Sequence, residues 1–107
     1  VIIKQEHTYY ANIFIAGDIS AIKNICVEFC DTGMCVTVTP TEYIYTHGRE
    51  TGAIVGLINY PRFPKSPESI ENTALELAED LLLNTYQGSC SVQFPDKTVF
   101  MSRREEE

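Results

Sequence analysis

Apolar and polar residues alternate along Thr8–Ala16. Ala11, Ile13 and Ile15 fall on one side, Tyr10, Asn12 and Phe14 on the other, which is the period of a half-buried strand. Gly17-Asp18 breaks the alternation, and Asp18 is a good N-cap. From there Ile19, Ile22, Cys26, Phe29 and Cys30 recur at helical spacing, so Ile19–Cys30 reads as an amphipathic helix. Asp31-Thr32-Gly33 supplies its stop, with Gly33 as a left-handed cap. Cys35–Thr39 is β-branched, Pro40 predicts a bend, and Tyr43–Tyr45 resumes strand character. A polar loop, His47–Gly52, then leads into the nearly all-apolar Ala53–Asn59. That composition predicts a central strand covered on both faces, with Gly56 marking a bulge or a close backbone approach.

Pro61, Pro64 and Pro67 space the segment that follows and stiffen it. Ser66 is placed to cap a second, longer helix, Pro67 suits its first turn, and Glu68 and Glu71 complement its dipole. Ile70, Ala74, Leu77, Ala78 and Leu81 form the buried stripe. Gly88 is expected to end this helix. Cys90–Phe94 and Thr98–Ser102 read as strands around a Pro95-Asp96-Lys97 turn.

The order β-α-β-β-α-β-β predicts an α+β domain of the ferredoxin-like, split βαβ type. It has an antiparallel sheet, two helices on one face and a C-terminal β-hairpin. The fifth strand extends an edge. The uncovered sheet face is expected to carry large side chains and to need a partner chain as its cover. Residues 1–104 are read as one domain and 105–107 as a solvated acidic tail.

The net charge of −7 over 107 residues speaks against binding DNA or RNA through a broad basic face. Small phosphorylated ligands remain compatible, because a few arginines in one pocket dominate within a Debye length of about 10 Å. No apolar run approaches the roughly 18 residues of a membrane span, and VIIKQEH lacks the pattern of a signal peptide. The spacing of Cys26, Cys30 and Cys35 is not that of a zinc site, and His7 and His47 do not complete one, so no metal ligands are assigned and no cofactor is expected. The cysteines read as structural thiols of a reducing cytosol.

Candidate chemistry concentrates in Asn59, Tyr60, Arg62 and Phe63 of the proline-spaced loop. A guanidinium can grip an anion through paired hydrogen bonds, a phenyl ring can stack on a base, and Asn59 and Tyr60 add edge-reading groups. The plainer alternative makes Phe63 a core plug and Arg62 a surface charge. Arg49 and Lys97 are further cations, each otherwise simply solvated. No cysteine has the cationic setting of a reactive thiol, Glu76, Glu79 and Asp80 read as a solvated helix face, and no glycine-rich phosphate cradle is present.

Several stretches carry a family resemblance: Ala11–Asp18 (ANIFIAGD), Cys35–Thr41 (CVTVTPT), Tyr45–Glu50 (YTHGRE), Val55–Pro64 (VGLINYPRFP) and Pro95–Thr98 (PDKT). Together they resemble the small phage proteins of the first-described Thoeris anti-defence family. The resemblance implies a protein that is not an enzyme and that sequesters, without cleaving it, a glycocyclic ADP-ribose signal. Some members also bind cyclic oligonucleotides of the CBASS defence at a separate site. It places the protein in the cytoplasm of an infected bacterium, as a homo-oligomer (dimer or hexamer). The candidate ligand-binding residues, Arg62, Phe63, Asn59, Tyr60, Arg49 and Lys97, follow from side-chain chemistry and not from the resemblance. The alternatives are a small acidic inhibitor acting by direct contact with a host protein and, last, a small enzyme acting on a nucleotide or acyl substrate.

Overall fold

A computed structural model describes residues 1–104; the expected acidic tail, 105–107, lies outside the described residues. The elements are β1 (Tyr10–Ala16), α1 (Ile19–Phe29), a 3-10 turn (Cys30–Thr32), β2 (Thr37–Tyr45), β3 (Gly48–Ile58), α2 (Pro67–Asn84), β4 (Ser89–Gln93) and β5 (Thr98–Ser102). They form one antiparallel sheet in the order β2-β3-β1-β4-β5. Each helix links two strands separated by a third: β3 lies between β1 and β2, and β1 lies between β3 and β4. This is the expected α+β, ferredoxin-like arrangement, with β5 added at the β4 edge.

Alternation builds the core. Ala11, Ile13 and Ile15 of β1, Ala53, Val55 and Leu57 of β3, and Cys90 and Val92 of β4 are all buried. They face Ile22 and Cys26 of α1 and the α2 stripe of Ile70, Ala74, Leu77, Ala78, Leu81 and Leu82. The caps are those the sequence predicts. Ala21 N donates to Asp18 Oδ2 at 2.9 Å and Ser69 N to Ser66 Oγ at 3.1 Å, satisfying amides that the first helical turn leaves unpaired.

The structure corrects the sequence reading between Pro40 and Gly52. The strand does not bend at Pro40 but continues from Thr37 to Tyr45, with Pro40 opposite Ala53. β2 is an edge strand, and an edge tolerates a residue lacking an N–H. The expected polar loop is itself strand. Only Thr46-His47 turn the chain, and His47 takes the left-handed φ of 65° that such a tight hairpin needs. The hairpin therefore runs past the end of β1, whose Ala16 pairs with Gly52, and carries Ile44 out to 76% exposure. α2 also ends early, at Asn84 with a Thr85 cap instead of at Gly88. Gly56 marks a close approach without a bulge: a Cβ there would fall 2.7 Å from Thr37 Oγ1.

Burial pushes the Cys90 thiol up to about 11 from an ordinary 9.0. It does the same for Cys26, helped by the nearby Cys30 and Asp80. A raised folded-state pKa gives stability that is fully present below the unfolded value, near 9, and is lost as pH rises through about 11. Thermal melts should therefore fall between these pH values in native protein, and less in Cys90→Ala than in wild type. With a thiol reagent at neutral pH, Cys35, which is exposed, should react first, and Cys26 and Cys90 only on unfolding.

Candidate functional site

β3 ends at Ile58 beside the start of β1, and one further bond, Asn59 N to Tyr9 O at 2.9 Å, prolongs their ladder. The Asn59 side chain then ties two segments together. Its Nδ2 donates to His7 O, and its Oδ1 accepts from Lys65 N, both at 2.9 Å. The first bond fixes the N-terminal arm and the second closes the loop 59–65 on itself. Within the loop, Phe63 N donates to Tyr60 O at 2.9 Å, with Pro61 in the second position of the turn, where its fixed φ belongs.

Two hollows flank this loop. The first, about 350 Å³, lies on the helix side. Leu57, Ile58 and Ile70 give it an apolar lining, Gly33, Met34 and Cys35 one wall, and Tyr60, Phe63 and Lys65 the other. The Tyr60 hydroxyl lies against the Cys35 thiol; this hydrogen bond and burial raise its pKa. The Phe63 ring is 58% exposed, and the exposed Arg62 guanidinium carbon stands 5.2 Å from its centroid, a cation–π distance. The second hollow, about 460 Å³, lies across Ile58 and takes in Tyr10, Asn12, Asn59 and Gln93. There Asn12 Nδ2 donates to Gln93 Oε1 at 3.4 Å.

Among the expected site residues, the structure thus gathers Asn59, Tyr60, Arg62 and Phe63 in one loop. Phe63 is no core plug. Both polar ends of the Asn59 amide are engaged within the chain, which makes it a clamp for the loop and not an edge-reading group. Lys97 is at the same end of the sheet but pairs with Glu71 and stands 5.9 Å from the Phe94 ring centroid. Its pKa is raised, foremost by the bond to Glu71. Tyr9 stacks on the other part of this cluster, 6.4 Å from Phe94. Arg49 lies at the opposite end, on the projecting hairpin, 4.0 Å from Glu42. It joins neither hollow.

The Gly33–Cys35 wall was not visible in the sequence. It comes from topology: β2 is antiparallel to β3, with Thr37 opposite Gly56, so the residues entering β2 must pass those leaving β3. Lys65 is likewise brought to the rim by the loop closure at Asn59.

The fold therefore defines a small ferredoxin-like α+β protein with an aromatic, partly apolar hollow at one end of its sheet. No protein-family model matches the chain, and no curated protein is significantly similar to it in sequence. Among solved structures it is similar to a phage SAM lyase in the apo state, at a TM-score of 0.75 and 14% identity over 92% of each chain. It is also similar to a phage SAM lyase in complex with S-methyl-5'-thioadenosine, at a TM-score of 0.61 and 14% identity, covering 94% of this chain and 93% of the other. At that identity the likeness carries the fold. Both matched structures are phage proteins, which agrees with the expected family only at that broad level, and neither is a Thoeris protein. The expectation that the chain is not an enzyme is corrected here: the structures that share this fold along nearly their whole length are those of a lyase.

Proposed function

We propose that the chain is a small enzyme that binds an adenosyl sulfonium, of the S-adenosylmethionine type, and releases S-methyl-5'-thioadenosine. The observation that carries this reading is the match along 92% of both chains to a phage SAM lyase, the second matched structure holding the thioadenosine itself. The helix-side hollow suits an adenosine in size, about 350 Å³, near the lower end of the range for small-molecule sites. Tyr60 and Phe63 offer it ring faces.

The chemistry follows from the ligand. Sulfur keeps its methyl and ribosyl carbons in the thioadenosine, so the bond that breaks joins sulfur to Cγ of the amino-acid arm. Its electron pair goes to sulfur, which leaves as a neutral thioether. The arm's own carboxylate can attack Cγ and close a five-membered lactone. The charges balance, no proton moves and no water enters. The protein's share is then to bend the arm so that an oxygen sits behind Cγ, a gain of position and orientation. Arg62 is the group in the loop suited to hold the carboxylate.

Incubation of the purified chain with S-adenosylmethionine, followed by chromatography, should show methylthioadenosine appearing as substrate is lost. An unchanged substrate, with no shift in melting temperature from methylthioadenosine, would defeat the reading. Arg62→Ala should weaken substrate binding by roughly 10- to 100-fold, the 1.5–3 kcal/mol of a hydrogen bond to a charged group, while methylthioadenosine, which lacks the carboxylate, binds as before. Equal loss for both ligands, measured by calorimetry, would remove Arg62 from this role. The exposed guanidinium beside Phe63 also supports a second reading, an adenine nucleotide of the cyclic ADP-ribose type, whose phosphates Arg62 would take. A melting shift with such a nucleotide and none with methylthioadenosine would favour it.

A further inference from the structure

The larger hollow, about 460 Å³, lies outside the site given to the lyase reaction and is built differently from the helix-side one. Two amides line it. Asn12 on β1 and Gln93 on β4 are direct cross-strand partners, and Asn12 Nδ2 donates to Gln93 Oε1 at 3.4 Å. That bond uses one donor and one acceptor of the pair. It leaves a second acceptor, Asn12 Oδ1, and a second donor, Gln93 Nε2, on neighbouring side chains with no partner among the described residues. On the other side of β1, Asn12 is opposite Gly56. A Cβ at that position would stand 3.2 Å from Asn12 Oδ1, so the glycine keeps the oxygen clear.

Tyr9 and Tyr10 bring aromatic rings to the same lining. Tyr9 is fixed twice over: its ring stacks on Phe94 at 6.4 Å, and its hydroxyl is hydrogen-bonded to the Asp96 carboxylate. Ile58, half exposed, adds an apolar surface. Glu6 supplies the one charge of the lining, on the arm that Asn59 secures through His7 O. No Lys or Arg lines this hollow. An anion entering it would meet a carboxylate and no compensating cation, in a chain whose net charge is already −7.

We infer that this hollow is a second ligand site, for an adenine nucleoside without phosphate. A free acceptor beside a free donor is the complement of the adenine edge, where the N6 amino group donates and the adjacent ring nitrogen accepts; a single Asn or Gln makes the same pair of bonds to N6 and N7. Here Asn12 Oδ1 and Gln93 Nε2 supply one bond each. Tyrosine rings give a base a face to stack on. A carboxylate is the group that accepts from ribose hydroxyls, and Glu6 is placed for that part. The volume falls within the range of small-molecule sites. The same carboxylate turns away a phosphorylated nucleotide, which separates this hollow from the helix-side one with its Lys65 rim. Neither site depends on the other, since the lyase reading places its adenosine on the helix side.

The test is an NMR titration of the isotope-labelled full chain with adenosine, read at the side-chain amide signals of Asn12 and Gln93. Both are expected to move on one saturating curve, together with the backbone amides of Tyr9 and Tyr10. Gln93→Glu keeps the shape and the acceptor but loses the donor, and is expected to weaken that curve, read at Asn12, by roughly 10-fold or more. Adenosine monophosphate is expected to bind here roughly 10-fold more weakly than adenosine, and Glu6→Gln to narrow the gap. Signals of Gly33–Cys35 report the helix-side hollow in the same spectra. Movement there with none at Asn12 and Gln93 overturns the second site and leaves the lyase reading standing. Still signals throughout at millimolar adenosine, or an unaltered curve in Gln93→Glu, overturn it as well, and a monophosphate bound as tightly as adenosine overturns the exclusion of phosphate.

Discussion

Leu77→Ala is expected to cost about 2–5 kcal/mol of unfolding free energy, as burying a shortened side chain leaves a cavity that its neighbours fill only in part. Leu77 is completely buried at the middle of α2 and belongs to the cluster joining that helix to β1, β3 and β4. In a domain of this size each kilocalorie corresponds to roughly 4–8 °C in melting temperature. The variant should thus melt roughly 10–40 °C lower and, at the upper end of that range, not fold at 37 °C. Urea titration is the direct check, because the midpoint should fall while the slope stays constant. A loss well under 1 kcal/mol would mean that α2 is not seated on the sheet as described.

The second large effect is expected at Asn59. Asn59→Ala removes both bonds that hold the arm and the loop. Stability should fall by about 1–3 kcal/mol. Ligand affinity should fall by roughly 10-fold or more, because Tyr60 and Phe63 would then have to be ordered at the moment of binding. Asn59→Asp separates the two bonds: it can still accept from Lys65 N but cannot donate to His7 O. If loop closure is what prepares the hollow, the aspartate variant should bind nearly as wild type while its N-terminal arm becomes sensitive to protease. Calorimetry and limited proteolysis on the same samples read the two effects separately, and equal affinity in wild type and Asn59→Ala would show that the clamp has no bearing on binding.

How far the sequence reveals this structure depends on the range of each interaction. Asp18 and Ser66 announce the helices because a cap is a contact three residues long. The internal position of β3 is legible in its apolar run, but the expected cover on both faces is not met: Ala53, Val55 and Leu57 are buried under the helices, while Ile54 and Ile58 lie on the other face, Ile58 52% exposed. Pro40 misleads because its cost depends on whether the strand is an edge, a property of sheet order and not of the local sequence. The hairpin 45–48 misleads because His47 adopts a left-handed φ without being glycine.

The site divides in the same way. Tyr60, Arg62 and Phe63 stand out because the prolines around them are a local signal of a stiff loop. Met34 and Cys35 do not, since their place opposite Tyr60 is set by strands paired across about twenty positions. Arg49 carries the same chemistry as Arg62 yet sits at the far end of the sheet. The proposed lyase activity would leave no motif to read, because a reaction driven by the substrate's own carboxylate needs none of the nucleophile–base pairs that a sequence displays.

β1 is the centre of the sheet and precedes the other four strands in the chain. Its partner on one side, β4, begins at Ser89, and Ile13 meets Val92 only once the two intervening strands and both helices have been made. On a ribosome β1 must therefore wait, with one edge open, until β4 has emerged. Contacts this distant in sequence slow folding and expose strand edges to other chains. Expression should accordingly be sensitive to truncation at the C-terminal end: a product stopping before β4 would keep both helices and the β2–β3 hairpin yet present an unpaired central strand, a substrate for chaperones and a seed for aggregation.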